Sequence, residues 1–131
     1  MTGIKHDAGK LRWDLLPKDI EFEIRRYQEK LTALAPIDVD VFINCECWSV
    51  IAAHFLKEEL CTWEQIVEVF TKGAEKYGDN NWQQLKDAKN RIYAALKRHF
   101  KKGVNEEDFG LPHAAHLVVC CIFLRWFEKH K

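Results

Sequence analysis

The sequence predicts an all-α protein, a bundle of about five helices with an extended N-terminal arm. The chain of 131 residues contains only 6 Gly and 3 Pro, while hydrophobic residues make up 47% of it. So few turn-forming residues disfavour folds built from many short strands, and five segments place apolar residues at helical spacing. The length is that of one domain, so we expect residues 1–131 to fold as a single unit.

The charges are balanced, with 20 Lys+Arg against 20 Asp+Glu. A net charge of zero argues against direct nucleic-acid binding, which usually requires a basic excess. No apolar run approaches the roughly 18 residues of a membrane span, and the first ten residues lack the apolar stretch of a secretory signal. We therefore expect a cytoplasmic protein. Its five cysteines lack the C-x-x-C spacing of zinc ribbons, and we predict no chemical role for them.

The N-terminal part of the chain is predicted as an arm followed by one helix. Residues 3–17 show no sustained period, so we expect them to be extended. The first helix is predicted over 18–34, where Ile20 and Ile24 begin an apolar stripe, and it ends before Pro36.

The second helix, predicted over 38–60, is apolar around most of its circumference. Phe42, Trp48 and Phe55 point in different directions around it. Such a helix lies at the centre of a core or at a subunit interface. Because a bundle of this size does not readily cover every face, we expect a homo-oligomer formed through this helix.

Three further helices are predicted from apolar spacing and from end signals. Thr62 and Gln65 fit a capping box at the start of the third helix. Gly103 and Pro112 are typical of a helix end and a helix start. The predicted ranges are 63–77, 86–102 and 112–129, separated by a turn at 78–81 and a loop at 104–112.

Two acidic side chains of the third helix suit a metal ion. Glu64 and Glu68 are four residues apart and therefore share a face of the helix. Two carboxylates can hold a divalent cation such as Mg²⁺, whose other ligands are water and substrate phosphates. The alternative is a solvated acidic stripe.

Histidines form the second candidate cluster. His113 and His116 project together from the start of the fifth helix, just after Asp108 in the acidic loop. Two imidazoles and a carboxylate suit a transition metal or acid–base chemistry beside a phosphate. His99 lies on an otherwise apolar face of the fourth helix and adds a possible acid or base. The alternative is a structural or capping role for these rings.

Cations and aromatic rings complete the candidate ligand site. Arg98 on the basic fourth helix, with Lys10 and Arg12 on the arm, could contact phosphates. Tyr77 and Trp82 flank an Asn-Asn turn, where rings can stack on a base and an amide can read its edge. The alternatives are a solvated basic surface and aromatic core residues.

Four segments of the chain resemble a known family. They are KHDAGKLRWDLLP at 5–17, GAEKYGDNNW at 73–82, RH at 98–99 and GLPHAAH at 110–116. Together they resemble the phage and bacterial dATP/dGTP diphosphohydrolase N-terminal domain family, while residues 25–60 look like an inserted or divergent segment. Through that family the chain is similar to the all-α, MazG-like nucleoside triphosphate pyrophosphohydrolases.

The resemblance implies a nucleotide ligand and a divalent metal cofactor, Mg²⁺ or Mn²⁺. MazG-like proteins bind Mg²⁺ through E-E-x-x-E and E-x-x-D motifs, which this chain lacks. The nearest equivalents are Glu64 with Glu68 and His113 with His116, and the imidazoles leave room for Mn²⁺. The predicted catalytic residues are Glu64, His99 and Asp108; the predicted metal ligands are Glu64, Glu68, Asp108, His113 and His116; and the predicted nucleotide-binding residues are Lys10, Arg12, Lys76, Tyr77, Asn81, Trp82 and Arg98.

Three functions follow as hypotheses. The first is a metal-dependent enzyme that releases pyrophosphate from a nucleoside or deoxynucleoside triphosphate. The second is a non-catalytic phage protein that sequesters a nucleotide. The third is a helical oligomerisation module, suggested by the apolar second helix.

Overall fold

The computed structural model of the protein describes residues 10–31, 46–102, 107–108 and 110–130, with only the backbone described at 107–108. These ranges contain five α-helices and one two-stranded sheet, so the predicted all-α class is confirmed. The helices are α1 Lys18–Lys30, α2 Trp48–Lys57, α3 Trp63–Tyr77, α4 Ala88–Lys102 and α5 His113–Lys129. Single 3-10 turns lie at Trp13–Leu15 and Asn81–Gln84.

Helix α5 is the centre of the bundle, because it packs against each of the other four described helices. Its own apolar side chains are buried on nearly all sides of the helix. Among them are Leu117, Val118, Ile122 and Leu124, each at most 1% exposed. Burial of this kind is the main stabilising contribution to such a fold. The buried residues of α5 are therefore held in place by the surrounding helices.

The apolar surface of helix α2 is buried by other helices of the same chain. Trp48 and Phe55 are 1% and 2% exposed, and α2 packs between α1 and α5. The apolar circumference therefore marks a core helix, and these two residues give no surface to a partner. Phe42 lies outside the described residues, and oligomerisation stays a prediction.

The helix ends differ from the predicted ones where the backbone leaves the helical region. The first helix ends at Lys30, because Leu31 is extended with φ −68° and ψ 123°. A continuous second helix over 38–60 is wrong, since Glu46 has φ +57° and Glu59 has φ +60°. Most residues avoid positive φ, so both positions interrupt a helix. The prediction for 38–45 lies outside the described residues.

Helix α3 has the predicted bounds, and its capping box is present. The Gln65 backbone N–H donates to Thr62 Oγ1 at 3.1 Å, and the Thr62 N–H donates to Gln65 Oε1 at 3.0 Å. Two N–H groups that the first turn would leave unpaired are thus satisfied. This cap fixes the residue at which α3 begins.

The loop predicted at 104–112 contains a short hairpin that the sequence did not predict. Strand β1, Glu107–Asp108, pairs antiparallel with β2, Leu111–Pro112, in the register Glu107↔Pro112 and Asp108↔Leu111. Gly110 turns the chain with φ +80°, a conformation that glycine adopts readily. The hairpin leads directly into His113, the first residue of α5.

None of the described helices is both long enough and apolar enough to pass through a membrane.

Candidate functional site

An apolar cavity of about 450 Å³ lies between α3, the 3-10 turn Asn81–Gln84 and α5. Its walls include Phe70 and Tyr77 from α3, with Val119 and Phe123 from α5. Leu15 of the arm closes one side. A cavity with mostly apolar walls and a few polar groups at its edge is typical of a small-molecule site.

The edge of the cavity is a tight turn after α3. The Gly78 N–H donates to the Ala74 carbonyl at 2.8 Å and ends the helix, with Gly78 at φ +99°. Asn80 follows at φ +55°, which Asn tolerates better than most residues. Both residues and Asn81 line the cavity. The predicted turn at 78–81 therefore continues into a 3-10 helix and forms the rim of the candidate site.

Arg12 joins the arm to this rim. Its guanidinium donates to Asp79 at 2.8 and 3.3 Å and to Asp14 at 2.8 and 3.0 Å. Its backbone N–H donates to Thr71 Oγ1 at 2.9 Å. The positive charge of Arg12 is neutralised here, because its guanidinium pairs with the carboxylates of Asp14 and Asp79. The described contacts thus make Arg12 a clamp between the arm and the rim.

Trp82 lies within a cluster of aromatic rings. Its ring stacks on Phe123 with centroids 4.2 Å apart and meets Phe70, Trp126 and Phe127 edge-on. Its Nε1 is buried and has no hydrogen-bond partner among the described residues. Trp82 lines the cavity, but these contacts with other rings hold its side chain within the packed wall. The prediction that it binds nucleotide stays a prediction.

Tyr77 is the aromatic residue of the cavity that solvent reaches most easily, at 62% exposure. Lys76 Nζ lies 5.2 Å from the centroid of its ring, a cation–π distance. Asn81 lies on the same rim, and the amide of its side chain has no hydrogen-bond partner among the described residues. Three of the predicted nucleotide-binding residues, Tyr77, Asn81 and Trp82, therefore meet at one cavity.

Three histidines come together where α4 ends and α5 begins. His99 Nδ1 and His113 Nδ1 are 2.8 Å apart, and His99 stacks on His116 with centroids 5.0 Å apart. His113 is only 3% exposed. A hydrogen bond between two Nδ1 atoms needs one unprotonated nitrogen, so at least one of the two rings is neutral. This contact therefore occupies the Nδ1 atoms of both rings and leaves their Nε2 atoms outside it.

The predicted acidic metal ligands do not join these histidines among the described side chains. Glu64 is exposed, and Glu68 Oε2 pairs with Lys72 Nζ at 3.2 Å. Asp108 lies in β1, and its side chain is outside the description. The described residues contain no group of three His, Cys, Asp or Glu side chains that could hold a metal ion. They do not fit the expected metal, whose binding stays a prediction.

The remaining predicted residues lie at the surface. Arg98 is exposed beside His99 on α4, and Lys10 is exposed at the start of the described arm.

Four cysteines are free thiols, and burial raises the pKa of Cys61 and of Cys120 to about 12. Such thiols are not reactive near neutral pH. Cys61, Cys120 and Cys121 are therefore core residues, as expected, while Cys47 is half-buried.

Several residues of the site were not predicted from the sequence. Leu15, Val119 and Phe123 form walls of the cavity, and Asp79 fixes the arm. One signal was available: Val119 and Phe123 follow His116 at helical spacings of three and seven residues. The arm contact has no such signal, because it joins positions far apart in the chain.

The fold and cavity define a small all-α protein with its candidate ligand site between α3 and α5. The chain belongs to the family described as dATP/dGTP diphosphohydrolase, N-terminal, whose model matches residues 59–131. That range includes the histidines and the cavity rim, but not the arm.

A relative from Salmonella phage PMBT28, named dATP/dGTP diphosphohydrolase, is 37% identical over 72 residues. The match covers 52% of this chain and 24% of the relative, so the chain spans about a quarter of that relative's length. No solved structure matches the chain significantly.

Proposed function

We propose that the protein binds purine deoxynucleoside triphosphates, dATP and dGTP, with the base in the cavity between α3 and α5. The observation that supports this most is the composition of the rim. Tyr77, Asn81 and Trp82 meet there, and all three lie in the part of the chain that matches the family. A flat base can bury its faces against apolar walls and pair its edge with an amide.

The phosphates would extend from the cavity towards the three histidines. His116, Val119 and Phe123 lie on one stripe of α5, and a rise of about 1.5 Å per residue separates His116 from Val119 by about 4.5 Å along the axis. That distance is shorter than an extended triphosphate. Exposed Arg98 beside His99 and exposed Lys76 beside Tyr77 supply cations at the two ends.

The proposed reaction is hydrolysis to a deoxynucleoside monophosphate and pyrophosphate. A water molecule attacks the α-phosphorus, and the bond between that phosphorus and the oxygen bridging to the β-phosphate breaks. His99 would accept the proton of the water at Nε2, since its Nδ1 is already engaged with His113 Nδ1. The catalytic roles of Glu64 and Asp108 stay predictions, since the described side chains do not bring either residue to the histidines.

The test is pyrophosphate release from the four deoxynucleoside triphosphates, with Mg²⁺ and with Mn²⁺. We expect release from dATP and dGTP, and an His99→Gln variant should bind these nucleotides but release little pyrophosphate. The absence of release from all four would contradict the enzymatic proposal.

A second proposal is nucleotide binding without turnover. The observation that favours it is that the described residues contain no three-ligand metal group. Tight binding of dATP or dGTP by calorimetry, with no pyrophosphate released under either metal, would support this alternative over the enzyme.

A further inference from the structure

One polar side chain at the rim of the cavity is not used by the local fold. Asn80 is suited to its positive φ of +55°, which accounts for that residue. Asn81 is exposed at the start of a 3-10 helix on the cavity rim, and its amide has no hydrogen-bond partner among the described residues. The neighbouring walls are aliphatic and aromatic. The exposed Asn81 amide can therefore exchange water for a ligand bound in the cavity.

An amide has one property that acidic, basic and apolar side chains lack. It presents a carbonyl acceptor beside an NH₂ donor, and rotation by half a turn exchanges the two. The Watson–Crick edge of adenine presents a donor, the 6-amino group, beside the acceptor N1. Guanine presents the reverse, the acceptor O6 beside the donor N1–H. A rotating amide matches both edges with two hydrogen bonds each.

We infer that Asn81 is the specificity-determining residue of the cavity and reads the Watson–Crick edge of a purine base in either of two orientations. The inference rests on the proposed function, and it explains how one site takes both a 6-amino and a 6-oxo purine. Tyr77 at the rim and the apolar walls hold the ring, while Asn81 pairs with its edge.

The test is calorimetric titration with α,β-imido triphosphate analogues, which cannot release pyrophosphate. Four deoxynucleoside analogues are compared. Their bases are adenine, guanine, hypoxanthine and purine without a 6-substituent. In the wild type the first three should bind within about threefold of one another. The unsubstituted purine lacks one hydrogen bond and should bind about three- to tenfold more weakly.

Two variants at Asn81 separate the amide from the rest of the cavity. Asn81→Leu should weaken the adenine and guanine analogues equally, by about ten- to a hundredfold, because two hydrogen bonds are lost. Asn81→Asp should favour guanine over adenine, since a carboxylate accepts from guanine N1–H but faces the lone pair of adenine N1. Gln84→Glu is the matched control, because it adds the same charge on the same 3-10 helix at an exposed position outside the cavity lining.

The outcomes separate this inference from the proposed function. If the wild type binds the adenine and guanine analogues but Asn81→Leu changes neither affinity by more than twofold, the inference is overturned and the proposed function stands. If the wild type binds none of the analogues, both are overturned. An equal change of the adenine-to-guanine ratio in Asn81→Asp and Gln84→Glu would also overturn the inference, since charge alone would then explain it.

Discussion

Arg12 and Asp79 connect the N-terminal arm to the rim of the cavity through two side-chain contacts, at 2.8 and 3.3 Å. They are 67 positions apart in the chain. Asp79 lies between two residues that line the cavity, Gly78 and Asn80. The position of the arm and the shape of the rim are therefore linked through one ion pair.

We predict that Asp79→Asn loosens the arm. The Arg12 backbone N–H, which donates to Thr71 Oγ1, should exchange with solvent about two- to fivefold faster, the size of effect expected from an exposed ion pair. Hydrogen exchange of this amide measures the effect. Asp14→Asn is the control, because Asp14 pairs with the same guanidinium but belongs to the arm itself. Equal acceleration in both variants would show that the link to the rim is unimportant.

A second prediction concerns Glu23, which joins three helices. Arg125 donates to both Glu23 oxygens, at 2.7 and 3.1 Å, and Ser49 Oγ donates to one of them. The hydrogen bond from Arg125 is the main reason that the pKa of Glu23 lies below its ordinary value of 4.5. Because the folded state favours the charged form of Glu23, this residue contributes fully to the free energy of unfolding above pH 4.5. Its contribution is lost as the pH falls through the lowered pKa.

Glu23→Gln should therefore lower the free energy of unfolding at pH 7 by about 1–3 kcal/mol and lower it less at pH 3. Denaturant titrations at the two pH values measure both quantities. Glu21→Gln is the control, because it removes an ion pair with the exposed side chain of Arg25 on the same helix. This change should lower the free energy of unfolding by less than about 1 kcal/mol at pH 7. Identical pH profiles of wild type and Glu23→Gln would contradict the prediction.

The sequence predicts those parts of the fold whose signals are local. Helix α3 has the predicted bounds because Thr62 and Gln65 cap its start and Gly78 ends it. The hairpin at Glu107 to Pro112 has only two residues in each strand, too few to show alternation. The break before α2 depends on the positive φ of Glu46, which apolar spacing does not reveal.

The candidate site is predictable only in part for the same reason. Tyr77, Asn81 and Trp82 are neighbours in the sequence, so a local motif could find them. Phe123 and Leu15 reach the cavity through the packing of the bundle, and the Arg12–Asp79 pair depends on where the arm docks. Such contacts between distant positions need the folded chain.

The third prediction concerns metal binding at the histidine cluster. The described side chains alone do not complete a metal site, so this prediction requires the Asp108 carboxylate to join the imidazoles. With that carboxylate in place, Mn²⁺ should raise the melting temperature of the wild type by mass action. His116→Ala should abolish this shift, since His116 stacks on His99 beside His113. His54→Ala on α2 is the control and should keep it. A shift of the same size in His116→Ala as in the wild type would mean that the ion binds elsewhere.

The last prediction separates the packed ring of the cavity from the accessible one. Trp82 contacts four aromatic rings, so Trp82→Ala should lower the free energy of unfolding by about 3–5 kcal/mol. Tyr77 is 62% exposed, so Tyr77→Ala should leave stability nearly unchanged. If Tyr77 stacks on the base, the same change should weaken dATP and dGTP binding by about 1–3 kcal/mol.

Thermal melts and titration with the α,β-imido analogues, made on the same samples, measure both effects. Tyr77→Phe is the matched variant, because it keeps the ring and should keep the affinity. Unchanged affinity in Tyr77→Ala, together with weaker binding in a Trp82→Phe protein of near wild-type stability, would reverse the assignment. The stacking surface would then be Trp82, and its contact with Phe123 would have to open when the nucleotide binds.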